Sequence, residues 1–470
     1  MLIFFVCVIL LFGGYFIYSK IIDKIFGSDS HRITPAKEFN DGIDFVEMSP
    51  KKIFLIQLLN IAGLGPIFGP ILGALYGPVA LIWIVLGTIF AGGVHDYFSG
   101  MLSIRYKGAS IPDIVGETLG CGFKQFMRVF SVVLLLLVGI VFVLGPAKLL
   151  ANLSGVSTAL WVAIIFAYYF IATILPIDKI IGKIYPFFGA ILVFMAVGLI
   201  SALMIKGYHL YPEASLVNSH PRHLPLWPLM FITIACGAIS GFHSTQSPMM
   251  ARCLPNEKYG RVVFYGAMIG EGLIALIWAT MGMSFYHNAE ALNAVLVKGG
   301  PALVVKDIST TLLGTIGGVF AILGVVVLPI TSGDTAFRSA RLIIAEFFKI
   351  SQKQGMKRLL IAVPLFIVGF IISKSNFSVI WRYFGWANQT LATVTLWSAA
   401  AYLIKKDKLH WVATIPATFM TAVVVTYLAY AKIGFGLNLN TATTIGIVGA
   451  ILSFIVFVLK FKFFKIGERW

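Results

Sequence analysis

Asn60-Ile-Ala-Gly-Leu-Gly-Pro-Ile-Phe-Gly-Pro70 interrupts an apolar run that is otherwise long enough to cross a bilayer. A second string, Cys236-Gly-Ala-Ile-Ser-Gly-Phe-His-Ser-Thr-Gln-Ser-Pro248, interrupts another. A membrane-spanning helix satisfies its own backbone polar groups. Glycine and proline at mid-depth free some of those groups, which then need another partner. In secondary transporters that partner is a substrate or an ion, and a pair of interrupted helices in matching positions of two halves marks the site. The two strings decide the fold class: an all-α polytopic membrane protein with two discontinuous helices.

The rest of the chain agrees. It has 470 residues, 59% hydrophobic and 12% charged, with a mean hydropathy of +0.92. A soluble domain carries about 25% charged residues. Apolar runs recur from end to end, about thirteen in all, each near the ~20 residues that cross a bilayer. The net charge of +17 would suit a nucleic acid, but its placement argues against one. With the N-terminus outside and the runs alternating, 28 of the 36 Lys and Arg fall on one side, counting Arg128 at the entry of its span. That side is cytoplasmic by the positive-inside rule, which puts Lys460–Trp470 inside. The excess charge then sets topology and attracts anionic membrane lipid. Residues 1–19 lack a basic leader and read as a retained span. Cys7, Cys121, Cys236 and Cys253 show neither a disulfide framework nor a metal-ligand spacing, so no metal is expected.

The chain reads as one transmembrane unit, residues 1–470. Residues 20–52 are expected as an ordered cytoplasmic loop. Residues 206–226 and 286–307 are expected as external connections, the second with a short surface helix starting at Ala289. The basic stretch 337–358 reads as an amphipathic extension of the ninth span into the cytoplasm. The broken spans are the second and the seventh, five apart and opposite in direction. That makes 53–205 and 227–404 the halves of a five-plus-five inverted repeat, with 1–19 and 410–460 as peripheral helices.

Several strings resemble the carbon starvation protein A family of bacterial membrane transporters. They are Arg32-Ile-Thr-Pro-Ala followed by Asn40-Asp-Gly, the Asn60–Pro70 string, Gly108-Ala-Ser-Ile, Cys236–His243, Tyr265-Gly-Ala-Met, Asp334 with Arg338 and Arg341, and Phe384-Gly-Trp-Ala-Asn-Gln389. They keep order and spacing from about residue 30 to 400. The chain departs from the best-known members in being shorter, with fewer spans after the core. The resemblance implies uptake of peptides or pyruvate in response to starvation, the bacterial cytoplasmic membrane, and a fold like the amino acid–polyamine–cation superfamily.

Ionisable residues inside spans are costly and are functional candidates by default. Here they are His95 and Asp96 in the third span, His243 in the seventh, Glu271 in the eighth and Asp334 in the ninth. His243 follows the second break directly, where an imidazole can bond a carboxylate or exchange a proton near neutral pH. Gly63 and Gly65 in the first break, and Ser240 and Gly241 in the second, let a ligand approach the backbone, or else serve close helix packing. Asn388 and Gln389 either line the pathway or join helices by hydrogen bonds. Thr331 and Ser332 are hydroxyls whose counterparts in the resembled superfamily hold sodium, and they can equally cap their own helix.

The expectation is a symporter importing small peptides or a small carboxylate such as pyruvate. Protons are the preferred coupling ion, carried by Asp96 and Asp334, with His243 on the substrate. Sodium at Thr331 and Ser332 is the alternative, and no cofactor beyond H+ or Na+ is expected. An intramembrane hydrolase is the reading from another class, but no HExxH, GxSxG or paired-carboxylate motif falls within a span. A channel would need a polar filter ring, which is missing. The sequence implies no particular oligomeric state.

Overall fold

The computed structural model describes residues 2–174, 177–211, 215–352 and 354–467, without the side chains of 177–185 and 462–467. Among the described residues the secondary structure is entirely helical. Helix α1 (Leu2–Phe26) ends at Gly27, whose φ of 71° lets its N–H close onto Asp23 O. A loop with a single helical turn at Pro35–Glu38 leads to α2 (Pro50–Ile61) and α3 (Gly65–Tyr76), which are bent by 47° across residues 62–64. Pro50 and Pro66 sit in the first turn of each half, where a missing N–H leaves nothing unpaired.

Helix α4 (Val79–Arg105) carries a π-helical turn at Gly87–Gly92. It is followed by α5 (Ile111–Leu119), α6 (Cys121–Ser154), α7 (Thr158–Ile174) and α8 (Ile177–Ile205). The second break separates α9 (Leu229–Thr233) from α10 (Gly241–Ala251), with Gly237 between them at φ 89°. Then come α11 (Glu257–Phe285), α12 (Ala289–Phe347), α13 (Gly355–Ile372), α14 (Phe377–Lys405), α15 (Trp411–Tyr430) and α16 (Leu439–Gly467). Gly300 and Gly314, at φ 71° and 70°, divide α12 into three pieces.

The two broken helices pack together with α4 and α11. A second group of α6, α7, α8, α12 and α13 surrounds them, α14 touches both groups, and α15 and α16 form an outer hairpin. The exposed side chains include Ile17, Val193, Leu360, Ile371 and Val456, an apolar face suited to lipid. The buried set includes His95, Asp96, His243, Glu271, Asn388 and Gln389. Polar groups inside and apolar groups outside is the arrangement a bilayer imposes.

Nine helices among the described residues are long and apolar enough to cross a membrane, or ten if α2 and α3 count as one span. The protein is therefore a multi-pass membrane protein, and both interruptions fall where the sequence places them. The stretch 337–358 differs from expectation. The helix does run on to Phe347, but Arg338 and Arg341 are 2% and 1% exposed, so this is no amphipathic surface. Arg338 is drawn inward because its Nη2 donates to Ala172 O on α7 at 2.6 Å. The end of the fifth expected span at 175–176, part of the 206–226 connection at 212–214, Lys353 and the tail residues 468–470 lie outside the described residues.

Candidate functional site

The groups freed by the second break find partners on two other helices, α4 and α14. Trp83 Nε1 on α4 donates to Ile234 O at 3.1 Å, and Thr88 Oγ1 lies 2.8 Å from Gly237 O. At the start of α10, Asn388 Oδ1 on α14 accepts the Phe242 N–H at 2.7 Å. Ser240 Oγ stands 3.1 Å from that same oxygen and 3.0 Å from Asn388 Nδ2. Gln389 Nε2 donates to Phe231 O on α9 at 3.3 Å. Neighbouring side chains on a helix point about 100° apart, so two successive amides let α14 hold both halves of the broken helix. Tyr265 OH on α11 likewise donates to Ile89 O, inside the π-helical turn of α4, at 2.8 Å.

Four ionisable side chains meet beside this break, all fully buried. His95 Nδ1 lies 2.7 Å from Asp96 Oδ1, and Asp96 Oδ2 lies 2.9 Å from His243 Nδ1. The far side of the His243 ring, Nε2, stands 3.4 Å from Glu271 Oε2. The result is a row from His95 through Asp96 and His243 to Glu271, crossing α4, α10 and α11. Buried charges survive when paired, and each carboxylate here faces at least one imidazole nitrogen. Neither Glu271 oxygen has a hydrogen-bond partner among the described residues.

Cys236, His243 and Glu271 offer donor atoms within 4.8 Å of one another, close enough for a divalent cation. A proton between His243 Nε2 and Glu271 satisfies those same two atoms and needs no movement of the thiol.

The glycines show what their missing side chains make room for. A Cβ on Gly63 would come within 2.5 Å of the Phe142 ring. One on Gly65 would overlap Cys236, and one on Gly241 would overlap the Asn388 carbonyl and lie 2.6 Å from Ala392 N. In this conformation each faces protein, and the two breaks touch through Gly65 and Cys236. Among the glycines of the two breaks, Gly237 alone has a positive φ.

Thr331 Oγ1 and Ser332 Oγ lie 3.0 and 3.3 Å from Leu59 O at the end of α2, and 2.7 and 3.0 Å from Leu328 O in their own helix. Four oxygens thus converge where α12 meets the first broken helix. Asp334 is also buried on α12, but no hydrogen bond or ion pair joins it to the His95–Glu271 row among the described residues.

Sequence reasoning missed Trp83 and Thr88, whose only signal is a polar atom in an apolar run, and gave Tyr265 no role beyond its place in a resembling string. It also missed a set of ion pairs among the basic connections. Arg252 Nη2 lies 3.1 Å from Glu346 Oε1, Ser110 Oγ donates to Glu346 Oε2 at 2.5 Å, and Arg105 grips Glu257 at 2.8 and 2.9 Å.

The profile of the family described as carbon starvation protein CstA matches residues 1–159, 145–311 and 294–427. A Haemophilus influenzae protein described as an uncharacterized membrane protein is 49% identical over 352 residues, 64% of this chain and 95% of its own length. The peptide transporter CstA of Campylobacter jejuni is 24% identical over 546 aligned positions, 88% of this chain and 77% of that protein. The pyruvate/proton symporter BtsT of Escherichia coli is 28% identical over 328 residues, 55% of this chain and 45% of that protein. Among solved structures, MhsT in complex with L-phenylalanine aligns at a TM-score of 0.57 and 13% identity, over 88% of this chain and 98% of its own. Mhp1, a nucleobase-cation-symport-1 family transporter, aligns at 0.55 and 15% identity, over 89% and 94%. At such identities the structural likeness speaks for the fold alone.

Proposed function

The chain belongs to the carbon starvation protein CstA family, and on that footing we propose that it is a secondary active transporter importing small peptides or a small carboxylate such as pyruvate. It is a carrier and not an enzyme. The observation that carries the reading is the buried row His95–Asp96–His243–Glu271 set against the interrupted helix. Burying four ionisable groups at membrane depth is costly, and proton coupling gives them a purpose. Asp334 is a separate candidate of the same kind on α12.

In this reading the helices make thirteen spans in a five-plus-five inverted repeat, with α2–α3 and α9–α10 each crossing once and only the last piece of α12 crossing. The protein sits in the bacterial cytoplasmic membrane with its N-terminus outside and C-terminus inside. Substrate enters where the breaks meet, near Gly63, Gly65, Ser240, Gly241 and His243. Asn388 and Gln389 hold α9 and α10 in the closed arrangement. When α10 moves away from α14, the Phe242 N–H leaves Asn388 and becomes available to a substrate carboxylate, at the positive end of the α10 dipole. Arg252, Glu346 and Ser110 close the cytoplasmic exit between α10 and α12.

A second reading keeps the substrate and changes the ion. The oxygens of Leu59, Leu328, Thr331 and Ser332 favour sodium there. Uptake of labelled pyruvate and a dipeptide panel into proteoliposomes, under separate proton and sodium gradients, tests both. Accumulation on a proton gradient alone supports the first reading. Accumulation only with sodium replaces it by the second, and product release without accumulation would make the chain a hydrolase.

A further inference from the structure

We infer that one exchangeable proton is shared by the unit Asp96–His243–Glu271, and that His243 passes it between the two carboxylates by exchanging tautomers without turning its ring. This deepens the coupling reading above and rests on it. The geometry comes first. Each nitrogen of the His243 ring has a different carboxylate beside it: Nδ1 is hydrogen-bonded to Asp96 Oδ2 at 2.9 Å, while Nε2 lies 3.4 Å from Glu271 Oε2 and makes no hydrogen bond among the described residues in this conformation. A neutral imidazole has one N–H and one bare nitrogen. Placed between two carboxyl groups, it can donate to one and accept from the other in either direction.

The proton count closes in both arrangements. In the first, Asp96 is ionised and accepts the N–H of His243 Nδ1, while Glu271 holds the proton and donates its O–H to the bare Nε2. In the second, Nε2 has taken that proton and Nδ1 has given its own to Asp96. Glu271 is now the carboxylate, and Asp96 donates O–H to the bare Nδ1. No proton is gained or lost, the only heavy-atom movement is the approach of the Glu271 carboxyl to Nε2, and the unit carries one negative charge throughout. The proton therefore belongs to the unit and not to a single residue.

Loss of the proton breaks this balance. A second negative charge is then buried, and the Glu271 carboxylate faces a lone pair on Nε2. Release thus requires α10 to move relative to α11 or α4, which ties the proton to the conformational cycle. The 3.4 Å gap is longer than a charge-assisted hydrogen bond of about 2.7–2.9 Å. Glu271 is able to close it, because neither of its oxygens is held by another hydrogen bond among the described residues.

The exchange as written needs no other polar group around His243, although the Cys236 thiol lies within 4.8 Å of it. Cys236 presents its thiol to Ser240 Oγ at 3.3 Å. His95 is a positioning residue. Its Nδ1 stands against Asp96 Oδ1 at 2.7 Å, and its Nε2 has no hydrogen-bond partner among the described residues, so the row stops there.

The test uses the full chain in proteoliposomes, with labelled pyruvate or dialanine, whichever the wild type takes up. Asp96→Asn and Glu271→Gln should each lose uphill accumulation on a proton gradient while keeping counterflow exchange. Infrared spectroscopy of the purified protein gives a readout that needs no transport. In an Asp334→Asn background, which removes the buried carboxyl of α12, a protonated-carboxyl C=O band should be present with the unit intact and absent when Glu271→Gln or Asp96→Asn is added. If the wild type ignores the proton gradient, the coupling reading and the relay fall together. If the wild type is proton-driven but Glu271→Gln still concentrates substrate, or the carboxyl band survives in both variants, the relay alone is overturned.

Discussion

Replacing Gly65 by alanine tests what holds the two interrupted helices against each other. The added Cβ would overlap Cys236 Cβ and Sγ, yet it stands a comfortable 3.6 Å from Cys236 Cα. Both Cβ atoms are fixed to backbone, so no rotamer change relieves the overlap. Overpacking of this kind costs about 1–3 kcal/mol, and Gly65→Ala should fall at the upper end. Cys236→Gly alone should cost less, roughly 0.5–1 kcal/mol for added backbone freedom plus the small void left by the thiol. The double variant moves the missing side chain from one helix to the other and restores the fit. It should be less destabilised than the sum of the singles by about 0.5–3 kcal/mol. Reversible unfolding in mixed micelles gives these energies, and proteoliposome uptake shows whether activity returns with stability. A Gly65→Ala protein as stable as the wild type, or a double variant as unstable as the sum, would refute packing as the reason for this glycine.

Asn388→Leu should lower unfolding free energy by about 1–3 kcal/mol, because it leaves the Phe242 N–H buried without an acceptor; unchanged stability with a raised KM would instead make Asn388 a substrate ligand. Tyr265→Phe should cost about 0.5–1.5 kcal/mol through the lost bond to Ile89 O, measured by the same unfolding assay. Glu346→Ala removes the Nη2 partner of Arg252, which keeps its Nε bond to Gly108 O, and the partner of Ser110, and should open the basic side. In a Cys121→Ser background, Cys253, now fully buried, should then react with a thiol reagent applied from that side; no change in its reactivity would remove Glu346 from the closure. Cys121 is exposed, so an impermeant thiol reagent added to intact cells should fail to label it if the charge-based topology is right.

The fold class was legible because its cause is local. Glycines and prolines clustered within a few residues break a helix locally, whereas single ones such as Pro146, Pro364 and Pro416 stay inside continuous helices, and both breaks lie where Asn60–Pro70 and Cys236–Pro248 put them. His95 and Asp96 were legible for a similar reason, since two adjacent polar groups in an apolar run have no cheap place in lipid. Their partner was not legible, because His243 reaches Asp96 across 147 positions of sequence. The reason for Gly65 was hidden too. A ligand and a neighbouring helix make the same demand on a residue without Cβ, and only the position of Cys236 tells them apart. Arg338 and Arg341 misled because a cation near a helix end reads as surface. The carbonyl of Ala172 that draws Arg338 inward belongs to a helix with no sequence link to it.

The central claim is that substrate and proton cross together. Liposomes containing the protein and a trapped pH-sensitive dye, with no ion gradient imposed, receive pyruvate or dipeptide on the outside, and internal pH and internal substrate are followed together. The account predicts internal acidification that tracks substrate entry and vanishes in protein-free liposomes. Substrate entry that leaves internal pH unchanged, or that begins only when sodium is added, would contradict it.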